Sequence, residues 1–424
     1  MSSSQLRSLS IATESSFCGL TASNQTPTSS GLTFTVVDVL DIGQLIVEGE
    51  AVADDPSAMR GGSYSMPARP VFQDGKPVAR GSFSFDFYLK GWSSTDKGIP
   101  ELLKTRFDTT AGSGFESLST ATSGSQAVTV AGSVTTSAGG VCVVESDAGS
   151  VFGLVCSYTS ATSFSLTPNI VSRGADPGND LSVCWTLSLP TAGLPSTSST
   201  CCIKITGQGW TQTLYGCSLT SLSMSGSSDS RGVRCSATVD VAFVDTVVNS
   251  GTPAVLAADA DAPILHQLGS PLALSTTFYL STGGFASGFT PNSNTMTAPG
   301  QCVDEWTLNI EFATSFSSCG SFYVGRSRSE TTSVTTTLEL HIGATALYSD
   351  FVSQWESLMA CNAILGFTGA NDARGAIVLP AAVVSEFTPA PDLGSDFVRT
   401  SITLAAGPCP TSSIPAVVIA LRAP

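Results

Sequence analysis

Charge is scarce in this chain: Asp, Glu, Lys and Arg make up 12% of its 424 residues, and only two residues are histidine. Acids outnumber Lys plus Arg by 33 to 18, and a net charge of −15 argues against an extended basic surface for a nucleic-acid backbone. The two histidines leave little for a zinc site or a Ser–His–Asp relay, since His266 sits in ADAPILHQLG and His341 on the outward phase of a strand. A nucleophile elbow, a P-loop, a dinucleotide fingerprint and HExxH are all missing. The acidic pairs Asp54, Asp55 and Asp259, Asp261 lack the glycine and terminal glutamate of an EF-hand loop and read as turn residues. No cofactor or metal site is expected.

No stretch approaches the roughly 18 apolar residues of a membrane helix. The start MSSSQLRSLSIATESSF has no apolar signal core, so the expectation is a protein made in a cytoplasm, with no membrane partner. The twelve cysteines include no CxxC pair, and buried free thiols are the default. Cys201 and Cys202 are adjacent and cannot easily bridge each other, whereas Cys217 and Cys235 flank a turn and are the pair placed to face each other across a hairpin.

What the chain has instead is 42% hydrophobic residues with heavy Ser, Thr and Gly usage, the composition of many short strands and turns. GSFSFDFYLKG from Gly81 places Phe83, Phe85, Phe87 and Leu89 on one face and Ser82, Ser84, Asp86 and Tyr88 on the other. It runs into a Pro-started helical stretch over Pro100 to Phe107. TTLELHIGA from Thr336 alternates in the same way and runs into a helix carrying Phe351, Trp355, Leu358 and Met359. Two further matches keep the same order: GSYSMPARP from Gly62 with GSFYVGRSR from Gly320, and VRCSATV from Val233 with VRTSITL from Val398. Three ordered matches predict a duplicated β-rich unit.

The fold class expected is mainly β: two repeated antiparallel sandwich-like or barrel-like domains, each with a flanking helix, plus an inserted β subdomain. Residues 1–31 read as an extended N-terminal arm with little core of its own, followed by a buried strand in LTFTVVDVL. Residues 32–107 and 201–250 form the first repeat, 251–267 a linker, and 268–424 the second repeat. Residues 108–200 begin with a low-complexity Ser/Thr/Gly run and read as an insertion of three or four strands, peripheral to the first repeat. Arg60, Arg69, Arg326 and Arg328 stand beside the repeated GS-aromatic motif. They read either as contacts to a neighbouring ring, through guanidinium forks, or as scattered surface arginines.

ESSFCG, the series RGGSYS, GSFSFDFYLKG and IPELLK, the hairpin YGCSLTSLSMSGSSDSRGVRCSATVDVAFVD and the closing TSITLAAG together resemble the tail tube proteins of long, non-contractile-tailed bacteriophages, in their internally duplicated form. The resemblance implies a structural virion protein of the phage tail, assembled in the bacterial cytoplasm. Its units would join side by side into a β-barrel around a channel, as stacked rings, trimeric with pseudo-hexameric symmetry. Partners implied are other copies of the chain, the tape measure, tail terminator and distal tail proteins, and DNA in transit without specific binding. Asp86 and Glu339 are the candidates to face the channel, where carboxylates would repel phosphates; the alternative places them in outer solvent. Competing readings are a capsid-decorating or adhesin-like β protein and a β-sandwich hydrolase.

Overall fold

The computed structural model describes residues 7–19, 27–43, 45–49, 72–73, 76–77, 79–110, 112, 114–121, 126–146, 149–167, 170, 174–191, 200–227, 232–248, 252, 278–282, 285–287, 290–291, 296–297, 303–312, 315–318, 324–327, 336–343, 356, 361–368, 373–387, 399–407 and 414–423. These residues are overwhelmingly β. Nineteen strands share one hydrogen-bonded network, six close a separate barrel, and three short hairpins stand apart.

The network forms two layers. The first is an antiparallel run of strands: segments Asp41–Ile42 and Ile46–Gly49, then Ala79–Tyr88, Arg234–Val241, the second half of Trp210–Ser227, Val303–Glu311, Thr336–Gly343, Arg399–Ala406 and the second half of Arg374–Phe387. The two longest strands leave this layer partway along. The first half of Trp210–Ser227 pairs with Cys201–Gly207 and Phe243–Val248, and the first half of Arg374–Phe387 with Cys361–Thr368 and Val418–Arg422. The second layer is thus hung from strands of the first. Gly216 marks one departure, at φ +66°, where a side chain would lie 2.8 Å from Cys18 Sγ and from Ala242 Cβ.

Period-two alternation makes the first layer. Phe83, Phe85 and Phe87 are each 1% exposed, and with Trp306, Leu308, Leu222, Ile402 and Leu404 they pack into one core against Ile203, Ile205, Leu365 and Ile377 of the second layer. The helix Ile99–Leu103 is wholly buried against that core; Pro100 suits its first turn, and Glu101 Oε2 accepts the Gly98 N–H at 3.2 Å. The second expected helix lies outside the described residues apart from Glu356.

Three expectations are corrected. The supposed N-terminal arm contains Ser8–Thr13, a strand paired on both sides with Leu9 and Ile11 in the core, because those apolar side chains are worth more buried than exposed. The buried strand expected in LTFTVVDVL shrinks to Thr35–Val37, and Leu40 is 44% exposed. Cys217 and Cys235 are not partners. Cys217 stands opposite Cys201 and Cys235 opposite Met224, since the strand that holds Cys217 runs on ten residues past it, to Ser227, before the chain comes back.

The insertion is a closed barrel of Phe115–Ala121, Ala127–Val130, Val141–Ser146, Gly149–Ser160, Ser163–Thr167 and Asp180–Val183. Two of its strands come from the low-complexity run, whose sparse Leu118, Val128 and Val130 fill the barrel core. Its flanks, Asp108–Thr110 and Trp185–Ser188, belong to the main network, where Trp185–Ser188 pairs with Val418–Arg422. The barrel does more than project. Val141, Val143, Phe152 and Leu154 pack on Ile364, Val378, Ile414 and Val418, and Glu145 accepts from Arg422 Nη1 at 2.9 Å and Arg374 Nη2 at 3.2 Å.

Candidate functional site

The face of the first layer opposite the core is the most distinctive surface. Its positions are fixed by alternation: each buried residue on a strand is flanked by one that points away from the core. They are Ser82, Ser84 and Asp86 on one strand, Arg234, Ser236, Thr238 and Asp240 on the next, then Ser221, Ser223, Ser225 and Ser227, then Glu305, Thr307, Asn309 and Glu311. Short hydroxyls dominate. They interlock across strands, as where Ser223 Oγ donates to Asn309 Oδ1 at 2.7 Å.

Charge on this face is mostly negative. Asp41, Asp86, Asp240, Glu305 and Glu311 are carboxylates, against the guanidinium of Arg234. Arg234 pairs with Asp86, whose hydrogen bond and charge hold the guanidinium above its usual pKa. Arg80, opposite Glu48, and Arg399, in phase with Ser401 and Thr403, hold backbone positions on the same face, so Arg234 is neutralised locally and the carboxylates, which outnumber the arginines, set the sign of the potential.

Asp86 thus sits on this face, as expected, but in an ion pair. Glu339 lies in register between Thr307 and Thr403, which puts its backbone position on the same row; its side chain is outside the described residues. Arg326 lies opposite Phe316 in a short hairpin, while Arg60, Arg69 and Arg328 fall outside the described residues, so no pairing of the four is described. His266 and the acidic pairs at 54–55 and 259–261 also fall outside. Among the described residues, no cluster of three His, Cys, Asp or Glu is placed to hold a metal, and no helix is long and apolar enough to cross a membrane, which says nothing of strands.

Sequence reasoning missed Arg234, Asp240, Glu305 and Glu311. The signal existed for the last two, because in DEWTLNIEF the polar Glu305, Thr307, Asn309 and Glu311 alternate with Trp306, Leu308, Ile310 and Phe312. A tight joint also emerges between the strands: a Cβ on Gly226 would lie 2.6 Å from Trp306 Nε1, so glycine there lets the indole close over the backbone.

The eight described thiols are all buried and unbridged. Burial pushes Cys156 and Cys184 up to about 12 and Cys142 and Cys217 well above the usual thiol range, which leaves them protonated and unreactive at neutral pH. No family model matches this chain, and no curated protein matches it.

Proposed function

We propose that this chain is a non-enzymatic structural protein, the tail tube subunit of a long, non-contractile-tailed bacteriophage, built from a duplicated β unit and polymerised as stacked rings around a DNA channel. The observation that carries the reading is a sheet spanning the chain with one apolar face and one face of hydroxyls and carboxylates. Such a face suits the wall of a conduit: short Ser and Thr side chains present little to grip a passing strand, and net negative charge repels phosphates.

The pairing pattern supports the duplication. Thr220 is bulged between Leu219 and Ser221, and its hydroxyl donates to the Thr238 carbonyl at 3.0 Å; Ser385 is bulged between Val384 and Glu386, and its hydroxyl donates to the Thr403 carbonyl at 3.2 Å. Phe83 faces Val239, and Leu338 faces Leu404. With Thr238 matched to Thr403, Phe83 corresponds to Leu338, Ser84 to Glu339 and Asp86 to His341. Bulges that match in position and in hydrogen bond favour common descent of the two halves over chance alternation.

Negative-stain electron microscopy of the purified protein tests the reading. Rings or hollow tubes are expected. Dispersed single particles at every concentration would instead favour a decorating or adhesin-like protein that uses the inserted barrel as its binding module.

A further inference from the structure

One side of the inserted barrel is built without charge. Arg, Lys, Asp and Glu are absent from residues 117–144 and 148–172, stretches in which the chain's own 12% would place several. These stretches supply Ala127–Val130, Ser163–Thr167 and most of Phe115–Ala121 and Gly149–Ser160, four strands consecutive around the barrel. Leu118, Val128, Phe164 and Leu166 fill the barrel core, so alternation turns Ser119, Thr129, Ser163 and Ser165 outward. Hydroxyl meets hydroxyl across neighbouring strands: Ser119 Oγ lies 2.8 Å from Thr129 Oγ1, and Ser157 Oγ 2.7 Å from Ser165 Oγ. Ser119 and Ser157 are exposed, while Val143 and Phe152 bury the barrel's other side on the body. Tyr158, next to Ser157, is 39% exposed, and its hydroxyl lies 3.5 Å from the Val134 carbonyl oxygen.

We infer that this hydroxyl face of the barrel binds a neutral polysaccharide. A hydroxyl both donates and accepts, so a sheet of hydroxyls answers those of a sugar group for group. Taking such a face out of water strands no ion, whereas a charged face would have to desolvate one. An acidic polymer finds no fixed cation in these stretches and is repelled by a chain of net charge −15. A protein partner is the poorer fit. Protein interfaces are anchored by Trp, Arg and other large side chains set in desolvated pockets, and the large apolar side chain exposed in these stretches is Tyr158, among the described residues. Its ring can lie against the C–H face of a sugar, the apolar side of an otherwise hydroxylated ligand.

Native electrophoresis of the full chain in gels cast with dextran, mannan, galactan or amylose, each read against a polymer-free gel, tests this, with alginate as the acidic control. Retardation is expected in at least one neutral polymer and not in alginate. Thr129→Lys with Ser165→Lys should weaken it at least about tenfold, because both ammonium groups must be desolvated on binding. Ser157→Ala with Ser165→Ala removes hydroxyls without adding charge, should weaken it as well, and serves where the lysine variant does not melt like the wild type. Migration unaltered by every neutral polymer would overturn the inference, as would equal retardation by alginate or undiminished binding by the alanine variant. Self-association that the lysine variant loses, with no retardation by any polymer, would make the face a contact between copies and overturn the glycan assignment.

Discussion

Deleting residues 108–200 removes the barrel and also uncovers the surface on which it sits. Ile364, Val378, Ile414 and Val418, each 1% exposed, would face water, and Val418–Arg422 would lose its neighbour Trp185–Ser188. At about 1.5–3 kcal/mol for each large side chain, exposure costs about 6–12 kcal/mol, which is comparable to the whole stability of a domain at about 5–15 kcal/mol. Arg374 and Arg422 would also lose Glu145. The simple deletion should therefore aggregate, or melt more than about 10 °C below the full chain. The matching row of the first half shows the repair: Lys204, Thr213 and Asp245 lie across its strands where Ile364, Val378 and Val418 lie in the second. The same deletion carrying Ile364→Lys, Val378→Thr and Val418→Asp should recover soluble, cooperatively melting protein. Circular dichroism melts with size-exclusion chromatography read both variants. An unrepaired deletion that stays monodisperse and melts within about 3 °C of the full chain would refute the reasoning.

Glu14 is buried and accepts the N–H groups of Cys18 and Gly216, each at 3.1 Å, and the hydroxyl of Thr200; Glu14→Ala strands those donors and should lower stability by about 3 kcal/mol in chemical denaturation. The raised thiol pKa values give an alkaline limit. Thiols at 9 in the unfolded chain and about 12 in the folded one for Cys156 and Cys184 bind protons more tightly when folded, so their stabilising contribution is full below pH 9 and lost as pH rises toward 12. Denaturation midpoints across that window should fall less steeply in a Cys156→Ala, Cys184→Ala variant; equal slopes would dismiss the thiols as the cause. Reversing Asp86 and Glu339 to Lys should leave tube assembly intact and slow DNA ejection, and Asp86→Lys also releases Arg234 from its ion pair. Unchanged ejection kinetics from tubes shown to carry both changes would take these residues off the channel wall.

Much of the strand architecture was legible in the chain itself. Alternation alone placed Phe83, Phe85 and Phe87 inward and Asp86 outward, because a strand turns successive side chains to opposite faces whatever it pairs with. Pro100 and the apolar spacing after it announced the buried helix. Tertiary structure decided what meets what. Nothing local in VCVVESD says that Glu145 will meet Arg374 and Arg422, more than two hundred residues away, or that Val141 and Val143 will be buried on the outside of their barrel. Ser8–Thr13 reads as polar and loose until strands from positions 35 and 201 close on both its sides. Pairing partners, and with them the polar face, depend on contacts distant in sequence, where a residue type constrains its own face but not the strand that will lie beside it.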